Sequence, residues 1–180
     1  EQLANRCFVF NPEGAIAAQY DKIHMFDVDL EGGEQRRESD LVRPGTGAVC
    51  CDTPFARLGL SICYDVRFPA FYGELARAGA DVITIPAAFT VPTGEAHWHV
   101  LVRARAIEAG AFVLAPAQCG SHDNDRRRTY GHSLIVGPWG EILAEAGERP
   151  GIITADIDMD AVQAARSAVP RLRQIRDFHP

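Results

Sequence analysis

The chain has 180 residues, 47% of them hydrophobic and 23% charged, enough apolar content for one domain with its own core and too much for a disordered segment. Its formal net charge of -6 at pH 7 argues against recruitment to nucleic acid or an anionic membrane surface, so a small soluble substrate is the expected partner. The five cysteines, Cys7, Cys50, Cys51, Cys63 and Cys119, contain no CxxC pair and read as reduced thiols in a cytoplasmic setting, not as a disulfide or zinc framework.

No apolar run approaches the roughly 18 residues of a membrane span. The amino end, EQLANRCFVF, lacks the basic and apolar blocks of a signal peptide and an initiator Met, which leaves a processed protein or a fragment of a longer one.

In chain order, CFVF, NPEG and AIAAQY read as strand, turn and strand, a hairpin. Residues 21–46 carry little periodicity and are punctuated by Gly32-Gly33 and Pro44-Gly45, a long polar loop of the kind that is more often functional than idle. A βαβ unit follows: a strand over residues 57–62, a helix over 68–78 with Pro69 in its first turn and Gly79 past its end, and a buried strand over 81–86. The run EAHWHVLVRARAIEA (95–109) places Trp98, Leu101, Val102 and Ala106 on one helical face. That helix is expected to start at Thr93 or Gly94 and stop at Gly110. Residues 111–117 form another buried strand, and 132–147 a hairpin closed by Gly137-Pro138-Trp139-Gly140. Residues 151–158 are expected to add a strand and 159–169 a last helix before the basic tail RLRQIRDFHP. This alternation implies a single α/β layered domain over residues 1–180.

Cys63 ends the first strand of the βαβ unit, in front of a helix amino terminus, where peptide dipoles and free N–H groups favour an anion. A thiol so placed is expected to have its pKa lowered, and the thiolate is the nucleophile. From position alone the alternative is a small core residue, because free Cys is among the most buried types. The other four cysteines read as core or strand residues. His97 and His99 are two apart on a helix and face different directions, and His24, His122 and His132 are scattered, so no metal site is expected.

The segment GLSICYDVRFP around Cys63 resembles the nucleophile motif of the carbon-nitrogen hydrolase family, the nitrilase superfamily. YDKIHMFD (20–27) is similar to the family's lysine motif, RRESD (36–40) to its second glutamate motif, and YGHSLIVGPWGEIL (130–143) to its late hairpin, in matching order. The resemblance implies a four-layer αββα sandwich. It also implies Cys63 as nucleophile, Lys22 as donor to the tetrahedral oxyanion, the Tyr64 backbone N–H as second donor, and Glu38 as the carboxylate that orients Lys22.

The family's general base is an early glutamate well before the lysine, and only 21 residues precede Lys22 here. The resemblance therefore implies that this chain lacks the first strands, their helices and the base, and is inactive and unstable alone, while the complete product is an amidase that needs no cofactor and forms a homodimer. PAQCGSHDNDRRRTYGHS (116–133) resembles the branch acting on deaminated glutathione, with the ω-amidase branch, acting on α-ketoglutaramate, as the near alternative. Both substrates are small anionic amides. Arg127, within Arg126 to Arg128, either meets a substrate carboxylate or sits in a solvated loop opposite Asp123 and Asp125. Arg67 either braces local carboxylates or contacts substrate, and Phe89 either walls the pocket or packs in the core. Two rival classes remain: a non-catalytic remnant that keeps the fold, and a thiol-redox protein using Cys63 or Cys50-Cys51, for which no resolving cysteine lies near Cys63 in sequence.

Overall fold

The computed structural model describes residues 2–29, 35–122 and 127–176. Strands β1 (Arg6–Phe10) and β2 (Ile16–Asp21) pair antiparallel as the expected hairpin. Asn11 closes the turn: its carbonyl accepts the Gly14 N–H at 2.9 Å and its side-chain oxygen the Ala15 N–H at 2.8 Å, the Asx geometry that makes Asn a turn former. The region expected as one long loop is partly structured. Short strands β3 (Asp27–Asp29) and β4 (Gln35–Arg37) pair antiparallel, and a 3₁₀ turn, Glu38–Asp40, follows directly. Three-residue strands are too short to register as a period of two in a sequence.

The main sheet is built from β5 (Val49–Asp52), β6 (Arg57–Leu60), β7 (Val82–Thr84), β8 (Phe112–Ala115) and two later strands. Helix α1 (Pro69–Arg77) connects β6 to β7, helix α2 (Val91–Ala109) connects β7 to β8, and both pairs are parallel, so the βαβ expectation holds. The ladder β9 (Cys119–His122) with β10 (Arg127–Tyr130) comes next, then β11 (Leu134–Val136) and β12 (Ile142–Glu145), which complete a six-stranded mixed sheet in the order β12-β11-β8-β7-β6-β5. Helix α3 (Asp160–Ala168) closes the described fold before a 3₁₀ turn at Arg171–Arg173.

Register assigns the faces. The row Leu58, Val82, Phe112 packs with Val162 of α3, and the next row, Gly59, Ile83, Val113, faces α1 and α2, as the period of two requires. Gly59 has to be glycine, because a Cβ there would stand 2.9 Å from the Ala80 Cβ and 3.3 Å from that of Leu75. Helices thus cover both faces of a mixed sheet, the α/β class expected, and no helix among the described residues is long and apolar enough to cross a membrane.

One helix start and one whole strand differ from expectation. Helix α2 begins at Val91, with Thr90 as its extended cap residue and Pro92 in the first turn, where a missing N–H leaves no hydrogen bond unmade. Residues 151–158 form no strand. Ile153, Ala155 and Ile157 are half-buried between exposed neighbours, so the alternation there marks a chain lying on the fold, not one paired in a ladder.

Candidate active site

Beyond β6 and β7 the parallel pairing continues for two more rungs, with the Ser61 N–H donating to the Thr84 carbonyl at 3.1 Å and the Cys63 N–H to that of Pro86 at 2.9 Å. At Cys63 the backbone then turns over, with φ of 49°, a left-handed conformation that a non-glycine residue holds only where its surroundings enforce it. Residues Cys63–Arg67 form a 3₁₀ turn, and α1 starts after it at Pro69. Among the described residues the Tyr64 N–H has no acceptor, although the amides on either side of it, Cys63 and Asp65, are bonded.

What holds this turn is Asp65, 0% exposed. Its carboxylate accepts the Ile62 N–H at 2.9 Å within its own turn, the Tyr20 hydroxyl at 2.7 Å, and both the backbone N–H (3.1 Å) and the ring Nδ1 (2.8 Å) of His24. The His24 ring in turn stacks on Phe68, centroids 3.6 Å apart. One buried carboxylate satisfied by four donors is a stable arrangement, and here it ties the nucleophile turn to residues 20–24. Asp65 is not among the site residues expected from the sequence. The signal available was an Asp three residues after an extended one, placed to accept a turn amide.

Between Tyr20 and His24 lies Lys22, 2% exposed. Its backbone is fixed on both sides, the N–H donating to the Asn5 carbonyl and its own carbonyl accepting the Gly45 N–H. Its ammonium forms an ion pair with Glu38. Glu38 also accepts the Phe26 N–H at 2.7 Å and the Asn5 side-chain amide at 3.0 Å. Burial pushes the Glu38 carboxyl up, but Lys22 and the two amide donors outweigh it and hold it below the ordinary carboxylate value.

These groups meet in one cavity of about 1040 Å³ whose walls include Cys63, Lys22, Glu38, Tyr64, Arg67, Phe89 and Arg127. Every residue singled out from the sequence as catalytic or substrate-binding therefore borders a common space. The thiol itself departs from expectation. Burial pushes Cys63 above its ordinary value, and the Ala88 backbone and the Lys22 ammonium oppose this only in part. The physical reason lies in the chain path: Cys63 opens a short 3₁₀ turn and α1 begins only at Pro69, so the helix expected directly after the thiol is displaced along the chain and desolvation prevails.

Arg67 braces no carboxylate among the described residues. Its guanidinium lies over the rings of Tyr64 (5.7 Å) and Phe89 (5.4 Å) and meets His97 Nδ1 at 3.3 Å, a planar cation held by aromatic faces. Phe89 does two jobs: it lines the cavity and packs on Trp98, 4.7 Å between centroids, with 5% exposure. Arg127 opens β10 and reaches the cavity without an ion-pair partner among the described residues, whereas Arg128 turns outward toward Glu148 at 3.8 Å. Arg126, Asp123 and Asp125 lie outside the described residues. Away from this cavity, His99 and His132 converge on Glu145, a meeting that spacing along one helix cannot reveal.

Residues 1–167 match the family described as carbon-nitrogen hydrolase. The deaminated glutathione amidase of Synechocystis is 48% identical over 171 residues, which are 94% of this chain and 62% of that protein. The deaminated glutathione amidase of Mus musculus is 44% identical, again over 94% of this chain and over 53% of its own length. The chain thus spans between half and two thirds of these relatives. Among solved structures the C. elegans NitFhit protein superposes with a TM-score of 0.87 at 40% identity, covering 97% of this chain and 42% of that one.

Proposed function

Because the chain belongs to the carbon-nitrogen hydrolase family, we propose that its cavity hydrolyses the amide of a small anionic substrate of the deaminated glutathione type through a Cys63 thioester. The observation that carries this reading is the convergence of Cys63, at its left-handed turn, with the buried Lys22–Glu38 pair on one cavity.

In the proposed reaction the Cys63 sulfur attacks the amide carbonyl carbon. A C–S bond forms and the carbonyl electron pair moves to oxygen. That oxyanion is held by the Lys22 ammonium and the Tyr64 N–H, two donors aimed at charge that exists only after attack. Collapse of the intermediate expels the nitrogen, protonated, as ammonia and leaves a thioester. Water then attacks the same carbon through a second oxyanion, giving a carboxylate and restoring the thiol. The thiol proton must be removed as attack begins. Glu38 is committed to Lys22, Phe26 and Asn5, so its role is to fix the ammonium, and the proton lost by the thiol is the one that the departing nitrogen gains.

Substrate charge is the second element of the reading. Arg67 and Arg127 border the cavity without carboxylate partners among the described residues, which suits them to bidentate contact with a substrate carboxylate. The names of the Synechocystis and mouse relatives support deaminated glutathione over α-ketoglutaramate.

The test is ammonia release by the complete gene product from deaminated glutathione and from α-ketoglutaramate in parallel, with Cys63→Ala as control. Faster release from deaminated glutathione, abolished in Cys63→Ala, is the expected result. A higher kcat/KM on α-ketoglutaramate would move the assignment to an ω-amidase, and an undiminished rate in Cys63→Ala would remove the nucleophile.

A further inference from the structure

Outside the cavity, three ligating side chains from separate parts of the chain come together: His99 within α2, His132 between β10 and β11, and Glu145 at the end of β12. His99 Nε2 lies 3.0 Å, and His132 Nδ1 2.8 Å, from the same Glu145 oxygen, Oε1. All three atoms fall within 4.8 Å of one another. Zinc holds nitrogen and oxygen ligands at about 2.0–2.2 Å, which sets neighbouring ligand atoms of a tetrahedron about 3.4 Å apart. Opening each N–O edge by about half an ångström therefore makes room for an ion.

The ligands are held in place by their surroundings. His132 has a left-handed backbone, φ of 56°, unusual for a non-glycine residue and costly unless enforced. Its N–H donates to the Gly147 carbonyl at 3.2 Å, and its carbonyl accepts the indole N–H of buried Trp98, the residue next to His99, at 2.7 Å. Tyr130 stacks on its ring with centroids 4.4 Å apart. The tyrosine is itself confined, because it approaches α2 so closely that a Cβ on Gly94 would stand 2.3 Å from its ring. The cluster is partly exposed, which leaves further coordination positions open to water.

We propose that His99, His132 and Glu145 form a site for a divalent transition metal of the zinc type, which tethers α2 to the β11–β12 hairpin. Two imidazoles and one carboxylate suit borderline cations such as zinc, not calcium or magnesium, which take oxygen ligands. None of the three residues borders the cavity that holds Cys63, so the metal acts on the fold and takes no part in amide hydrolysis. Binding to the folded state alone raises thermal stability as metal concentration increases.

The experiment is calorimetric titration of zinc chloride into the protein after its thiols are blocked with iodoacetamide, which removes cysteine as a competing ligand. One equivalent is expected to bind, with affinity reduced about tenfold or more in His99→Gln and in Glu145→Gln. Zinc should raise the melting temperature of the unsubstituted protein and, at the same concentration, raise that of both variants less, and magnesium chloride should leave all three unmoved. Failure of the folded protein to bind zinc, unchanged affinity in both variants, or equal binding of magnesium would overturn the proposal. Imidazole ¹⁵N spectra of the unsubstituted protein test it without any substitution. Zinc must shift His99 Nε2 and His132 Nδ1 and spare His24, His97 and His122, and the reverse pattern would exclude the site.

Discussion

Asp65 and His24 stand 41 residues apart, yet the Asp65 carboxylate binds His24 twice, at its backbone N–H (3.1 Å) and at its ring Nδ1 (2.8 Å). The same carboxylate holds Ile62, one residue before the cysteine, and Tyr20, two residues before the lysine. Position of the sulfur and position of the ammonium are therefore set by one buried group.

Asp65→Asn tests that coupling. An amide keeps the shape but presents an NH₂ group to donors that need an acceptor, so the variant should lose about 3 kcal/mol of stability in urea denaturation. At a temperature where it stays folded, kcat for ammonia release should fall about 10- to 100-fold with little change in KM, because a misplaced donor weakens transition-state binding first. A stable variant with an unaltered kcat would mean that Asp65 does not position the site.

Glu38 makes the protein sensitive to acid. Its carboxyl is held below the ordinary value of 4.5 in the folded state, so its contribution to stability is complete above the unfolded value and is lost as pH falls through the lower folded one. Glu38→Gln removes that titration and strands the Lys22 ammonium. Melting temperatures recorded from about pH 6 down to about pH 3 should show a lower starting value for the variant and a shallower decline. A decline as steep as that of the parent protein would place the acid-sensitive group elsewhere.

The burial that raises the Cys63 thiol sets its reactivity. Its iodoacetamide alkylation rate, read at that residue by mass spectrometry, should keep rising as pH is taken past 9.0, the ordinary value for a thiol. Lys22→Met removes the ammonium that opposes the shift, and should slow alkylation at about pH 8 by about tenfold for each unit of further pKa rise. A rate that levels off near neutrality would indicate a thiolate already formed.

Arg67 and Arg127 border the cavity from the nucleophile turn and from β10. If each meets a substrate carboxylate, Arg67→Gln and Arg127→Gln should raise KM for the anionic amide about tenfold or more, the worth of one charge-assisted hydrogen bond. Hydrolysis of a neutral amide of similar size should be unaffected. Equal losses on both substrates would assign these arginines to structure.

The candidate site was legible in the sequence to the extent that its chemistry is local. A thiol at a strand end before a turn is written in GLSICYDVRFP, and the lysine and glutamate motifs precede it in order. The hairpin at NPEG and the βαβ unit follow from turn residues and apolar periods, which are short-range properties of the chain. The strand expected at residues 151–158 failed for the same reason in reverse, since alternation records burial on one side and says nothing about whether a neighbouring strand is there to pair.

Residue order alone determined the α/β class and the family, and it singled out Cys63, Lys22 and Glu38, which border one cavity. Tertiary structure decided everything that depends on solvent exclusion and on groups distant in sequence. It raised the Cys63 thiol, which the strand-end position alone predicts to be lowered, because desolvation depends on the whole surrounding fold. It gave Asp65 its place as the hub between two motifs, set Arg67 against aromatic rings in place of carboxylates, and brought His99, His132 and Glu145 from three elements to a common point. That last meeting arises from the packing of α2 against β10 and β11, and no periodicity within one segment encodes any of these contacts.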